Sequence, residues 1–440
     1  MRQHGFASRL GTAASALAAA ATLLVGPVPV AAQQRPADLT VLPPVPTDFT
    51  PPRTAWGDPN ISHTYQYEYL DNMHILMQRP KVFGNRQWLT DEEFARRLAA
   101  AQRQDSSYAQ ASEQGVNTPG TQGLADFVKN SSIGHRTSLI VSPADGQLPP
   151  LTPQAEAIYK QGRSGWVPGQ NYDWVDDFDS WDRCVSRGFP ASMFPFRYNN
   201  GVRVFQSPDY VGIQLEMLGA RVIPIARPGK PVPHWPGPVE AWMGDGVAHW
   251  EGKTLVIETT NIKSGDSVSR DWHARAASPL NMASQNVPPF NTIPTSKQAH
   301  TIERLTMTNP NSLTYEITYI DPEVFTAPWT VRMEWARDDK YVFYEYACHE
   351  GDVQVRNYIT ASRAYRQKIA RGEQAVIPPE QDDRSRFAKQ FDYDPAANDR
   401  PAGPTGARAP VGGAAPARGA AAGGAAPAPG AARPAGGGGQ

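Results

Sequence analysis

The stretch Trp329-Thr-Val-Arg-Met-Glu-Trp-Ala336 alternates apolar with polar residues, turns at Arg337-Asp-Asp-Lys340, and resumes as Tyr341-Val-Phe-Tyr-Glu-Tyr-Ala-Cys348. A period of two on both sides of a short polar turn is the signature of an antiparallel hairpin. With Ala336 set opposite Tyr341, Trp329, Val331, Met333 and Trp335 share a core face with Val342, Tyr344, Tyr346 and Cys348, and Arg332 stands across from Glu345 on the other.

The same pattern extends upstream. Strands are predicted at 202–206, 210–218, 221–225, 247–250, 255–260, 300–307 and 313–320, joined by turns such as Ser207-Pro-Asp209, Glu251-Gly-Lys253 and Thr308-Asn-Pro-Asn-Ser312, the last placing Arg304 near Glu316. The fold class read here is mainly β: an antiparallel meander that hides its edges either as a lipocalin-like barrel, the first choice, or as a β-sandwich. A few short N-terminal helices and long loops accompany it.

Residues 181–366 form this β domain, and 61–180 read as a mixed segment. Tyr65-Gln-Tyr-Glu-Tyr69 suits a strand, Thr90-Asp-Glu-Glu93 is a capping box opening a helix over 91–104 with Leu89 and Phe94 as its staple, and 105–130 reads as a long polar loop. His135-Arg-Thr-Ser-Leu-Ile-Val141 reads as a strand turning at Pro143-Ala-Asp-Gly146 into a short return at Gln147-Leu148, and Thr152-Pro153 caps a helix through Tyr159. Residues 33–60, rich in proline, are expected to lie on the surface as an extended arm.

The two ends differ from the middle. A basic start, an apolar run over 10–25 and Val30-Ala-Ala32 have the three parts of a secretory signal over residues 1–32, which implies a periplasmic or secreted protein with no transmembrane segment after cleavage. Residues 400–440 are almost wholly Ala, Gly and Pro with scattered Arg, a composition that cannot offset the entropy of ordering. The net charge of −1, with signs interspersed, leaves no basic footprint for nucleic acid. The chain has two cysteines, Cys184 and Cys348, which in an oxidising compartment read as a disulfide; the alternative is Cys348 as nucleophile or ligand beside His349.

Several strings carry a resemblance: Arg53-Thr-Ala-Trp-Gly-Asp-Pro59, Arg136-Thr-Ser-Leu-Ile-Val141, Asp182-Arg-Cys184 with Arg187-Gly188, Tyr198-Asn-Asn200, His249-Trp-Glu-Gly252 before Thr254-Leu-Val-Ile-Glu-Thr-Thr-Asn261, and Tyr344-Glu-Tyr-Ala-Cys-His-Glu-Gly351. Together, over residues 46–363, they resemble a large family of uncharacterised exported bacterial proteins. The resemblance implies that Cys184 and Cys348 belong to one pattern, and it implies no activity. After Glu216-Met217 this chain has Leu218-Gly219 before Ala220-Arg221, where many relatives carry a His, so a mechanism resting on that His does not transfer.

Signatures of nucleotide binding, of the serine-hydrolase elbow and of zinc proteases are absent. Gly265-Asp-Ser267 with Asp271 and His273 imitates a hydrolase constellation but lies in a loop of a β meander. The nine His are scattered, and Cys348-His349-Glu350 could supply one or two metal ligands. With 11 Trp, 16 Tyr and 15 Phe there is material for an aromatic pocket. The expected function is therefore binding of a small aromatic or sugar-like ligand, with acid–base chemistry of hydrolase, lyase or isomerase type and no organic cofactor. The candidate residues are His349, Glu350, Glu345, His300, Glu303, Arg183 and Glu216, most of them at strand ends or inside the strings. A non-catalytic ligand-binding or surface-interaction module is the alternative.

Overall fold

The computed structural model describes residues 35–67, 77–97, 99, 135–161, 169–178, 180–196, 199–264, 278–280 and 293–381. The signal-like segment, the helix beyond 99, the 105–130 loop, Gly265 to His273, Tyr198 and the 400–440 tail lie outside these residues.

Among the described residues ten strands form one sheet: β1 (Thr64–Tyr67), β2 (Ile140–Ser142), β3 (Gly201–Gln206), β4 (Tyr210–Leu215), β5 (Ala220–Pro224), β6 (Asp245–Glu251), β7 (Thr254–Thr260), β8 (His300–Asn309), β9 (Ser312–Ile320) and β10 (Trp329–Arg337). Their order is β5-β4-β3-β1-β10-β9-β8-β7-β6, with β2 beside β1 on the same edge of β10. Two meanders, β3–β5 and β6–β10, are thus joined through β1, a strand from far upstream. The ends of the path meet where Ile225 and Ala248 bridge in parallel and the Ala226 N–H donates to the Ala248 carbonyl at 2.7 Å. The result is a nearly closed barrel, which decides between the two predicted architectures.

Alternation explains the wall. Leu313, Tyr315, Ile317 and Tyr319 of β9, and Trp329, Val331, Met333 and Trp335 of β10, all point inward, as do Tyr65 and Tyr67 of β1. Tyr65, Tyr315, Tyr319, Trp329 and Trp335 are each 0 % exposed, so these inward side chains form a packed cluster. Rings stack in it: Tyr315 on Trp335 at 4.6 Å, Tyr319 by Trp329 at 5.1 Å.

The seam between β5 and β6 is held from outside. Arg227, just past β5, makes a two-pronged ion pair with Asp58 (2.7 and 2.6 Å), and the Trp56 indole donates to the same carboxylate. Arg227 holds the Asp58 carboxyl below its usual range, against the effect of burial. The proline-rich segment is tied down by side-chain donors, and at its end Arg53 bridges back to Pro59. Lys253 Nζ donates to the carbonyls of Thr47, Asp48 and Phe49, Arg332 to that of Pro43, and the Trp88 indole to that of Val41.

Four local expectations need correction. Residues 341–347 form no strand, because β1 occupies the place beside β10: Tyr65 pairs with Arg337 and Tyr67 with Trp335. Arg332 therefore faces Glu316 across β9 and ion-pairs with it at 2.8 Å, rather than with Glu345. Arg304 does lie opposite Glu316, though its ion pair goes to Glu251. The strand predicted from His135 shortens to β2, since Arg136 bridges to Trp88 and Thr137 N–H donates to Gln87. Its expected return at Gln147-Leu148 instead packs beside residues 78–79, through Gln147 Nε2 to the Arg79 carbonyl.

The capping box forms as read, with reciprocal Thr90–Glu93 hydrogen bonds at 2.8 and 3.2 Å, and Thr152 Oγ1 caps the helix Pro153–Gln161. Cys184 and Cys348 are disulfide-bonded, with Cα atoms 5.7 Å apart. The bridge ties the turn at 181–184 to the short helix Cys348–Gly351, which leads into the helix Val353–Ala370. Among the described residues no helix is long and apolar enough to cross a membrane.

Candidate functional site

The segment 341–350 crosses the ends of β3 and β4, and it is fixed there by Glu216. That carboxylate, 5 % exposed at the end of β4, accepts from the Gly201 N–H (3.0 Å), the Tyr344 N–H (3.0 Å) and the Tyr341 hydroxyl (2.8 and 2.9 Å to its two oxygens). Gly201 makes the approach possible: a Cβ there would lie within 3 Å of Tyr341, Glu216 and Phe343. Burial, and then the Glu216 carboxylate, push the Tyr341 phenol well above its ordinary pKa, so it stays a proton donor. No Lys, Arg or His pairs with Glu216 among the described residues.

Aromatic rings surround this rim. Phe343 lies under the Arg203 guanidinium at 4.5 Å, Tyr346 stacks with Trp181 at 6.5 Å, and Arg187 sits over Phe196 at 5.4 Å. The disulfide joins the segments that carry Arg183 and His349, each next to a bridged cysteine. His349, Glu350 and Glu345 are exposed, and Arg183 is half-buried.

Glu303 is elsewhere and is used differently. It points into the barrel from β8 at 0 % exposure, accepting from both Arg221 Nη groups at 2.7 Å, from the Tyr315 hydroxyl at 2.9 Å and from Thr259 Oγ1 at 3.2 Å. Arg221 also donates to Thr259 and lies over the Phe189 ring at 4.6 Å. Burial opposes the charge on Arg221, but Glu303 more than offsets this and raises its pKa. His300, at the start of β8, is half-exposed, with Nδ1 3.1 Å from the Gln298 carbonyl.

The seven candidates from the sequence therefore divide. Glu216 lies at the rim against Tyr341 and Tyr344; Arg183, Glu345, His349 and Glu350 lie on the two segments that the disulfide joins, Glu303 in the core and His300 at the start of β8. The sequence reading missed Arg221, whose signal was a charge in phase with Ile223 and Ile225 on one strand. It missed the pairing of Tyr341 with Glu216, which no local pattern encodes. Among the described residues no group of three His, Cys, Asp or Glu side chains converges as a metal site requires.

No family model, curated protein or solved structure matches this chain.

Proposed function

We propose that the chain is an exported protein, periplasmic or secreted, that takes a small aromatic or sugar-like molecule at the rim covered by residues 341–350 and transforms it by acid–base chemistry. The observation that carries this reading is the Glu216–Tyr341 pair: a nearly buried carboxylate without a cationic partner among the described residues, against a phenol held protonated, among aromatic side chains. A carboxylate base beside a protonated donor is the minimum equipment for moving a proton within a substrate or between substrate and water, which covers hydrolase, lyase and isomerase chemistry. The packed cluster around Tyr315 and Trp335 favours the rim over that part of the interior as the place of binding. The disulfide and the signal-like N-terminus support export.

A binding module without turnover is the second reading, favoured by the fact that the Glu216 oxygens are already engaged by the chain's own donors. A thermal-shift screen of phenols, aromatic acids and sugars, followed by product analysis of each hit, separates the two: an enzyme consumes what it binds. A screen without any hit in these classes removes both.

A further inference from the structure

The connection from β5 to β6, residues 225–244, carries Pro228, Pro231, Pro233, Pro236 and Pro238, with Pro233-His234-Trp235-Pro236 at its centre. It is held against the chain just past the end of β7. Ala241 bridges in parallel to Ile262 beyond β7, with the Ala241 N–H donating to Asn261 and the Lys263 N–H to Ala241. Asn261 adopts the left-handed conformation (φ 53°), one of the few residues that tolerate it, and its amide donates to the carbonyls of Val239 (2.8 Å), Pro236 (3.0 Å) and Trp235 (3.4 Å). Thr260 Oγ1 donates to the Asn261 amide oxygen. The Thr-Thr-Asn261 end of the recognisable string thus clamps the His234–Trp235 loop.

Asp245, the first residue of β6, lies beneath that loop with its side chain 6 % exposed. Its Oδ2 accepts the Trp235 N–H at 2.6 Å and lies 3.1 Å from His234 Nδ1. An ionised carboxylate only accepts, so the proton of a neutral His234 ring resides on Nδ1 and the lone pair on Nε2. The His234 side chain is 30 % exposed, and Nε2 has no partner among the described residues. The neighbouring Trp235 is 48 % exposed. A ring nitrogen oriented through Asp245 and a partly exposed indole, on consecutive residues of a loop held by the Asn261 clamp, offer an apolar face and a polar atom to a ring that carries a hydroxyl group.

We propose that His234 and Trp235 form a second binding site, separate from the Glu216 rim, for a hydroxylated ring: the apolar face of the ring lies on the Trp235 indole and a ring hydroxyl donates to His234 Nε2. Phenols and sugars share this chemistry, and the site is independent of whether the rim at Glu216 turns anything over.

The test uses the full chain with phenol and methyl β-glucoside as probes, followed by histidine side-chain NMR and tryptophan fluorescence. In the free protein the His234 ring shows the Nδ1–H tautomer. Adding at least one probe shifts the His234 ring signals and changes the Trp235 emission; a response to one probe alone assigns the class. Trp235→Ala and His234→Ala each weaken that binding by about 10-fold or more. Asp245→Ala removes the tautomer preference, and because it can also loosen the loop, the exposed Trp235 variant carries the decision. Absence of any response at His234 to both probes, or binding unchanged in Trp235→Ala and His234→Ala, overturns the proposal.

Discussion

Arg221 on β5 donates both Nη groups to the two carboxylate oxygens of Glu303 on β8, each at 2.7 Å, inside the barrel and out of reach of water. The two strands come from different meanders, so the pair links the halves of the sheet across the interior, where Tyr315 and Thr259 complete the hydrogen bonding. Such a pair is costly to desolvate, and it is retained only when every donor and acceptor is engaged.

Breaking it from one side is expected to be severe. Arg221→Met or Glu303→Gln alone leaves a buried charge without its partner and lowers unfolding free energy by about 3–5 kcal/mol. The double variant Arg221→Met with Glu303→Leu recovers much of that loss. Urea denaturation of the four proteins measures both effects; additive single losses would show that the two side chains do not act as a pair.

The seam pair gives a pH dependence. The folded pKa of Asp58 is depressed by Arg227, so the pair's contribution is fully present above the unfolded carboxyl value, about 3.9, and is lost as pH falls through the lower folded value. Asp58→Asn is expected to cost about 1.5–3 kcal/mol at neutral pH and to make the acid limb of the stability curve shallower. Unfolding free energy recorded from pH 7 down to about pH 2 checks the sign; an unchanged acid limb in the variant removes Asp58 from the account.

Cys184 and Cys348 close a long loop, 164 residues apart in sequence. Labelling of the denatured, unreduced protein is expected to find no free thiol. Replacing both cysteines by Ala costs up to about 5 kcal/mol, the loop-closure limit for such a bridge. The same variants report on function, since the bridge holds the far end of the segment that Glu216 anchors.

Much of the barrel was legible because alternation is a local property: Leu313, Tyr315, Ile317 and Tyr319 announce an inward face without knowledge of any partner. The run 341–348 alternates equally well, yet the place beside β10 goes to Tyr65–Tyr67, more than 260 residues earlier in the chain. Local pattern does not encode which distant strand wins that competition. The same limit hid the geometry of the candidate site. Glu216 and Glu303 look alike as charges in apolar strands, but one meets the Tyr341 hydroxyl at the rim and the other meets Arg221 in the core. His234 and Asp245 are separated by a proline-rich loop whose path is set by Asn261, and a lone His in such a loop carries no sequence signal.

His349 and Glu350 are exposed on the helical turn next to the disulfide. Substituting either with Ala is expected to leave the melting temperature within about 2 °C, as exposed positions do. Turnover of a rim ligand is expected to fall by about 10²-fold if either moves a proton, as the sequence reading has it. Variants that unfold readily but work normally while folded would make both residues supports of the Cys348 turn.

The most direct test is the rate at which Glu216→Gln and Tyr341→Phe convert a compound that wild-type protein binds and consumes, with fold verified by circular dichroism and the disulfide by thiol labelling. Removing a proton-transfer group costs about 10² to 10⁴ in rate, so both folded variants are predicted to bind the compound and to convert it at least about 100-fold more slowly. Folded variants that convert it at the wild-type rate, or a wild-type protein that binds the compound and leaves it chemically unchanged, would contradict acid–base chemistry at this rim.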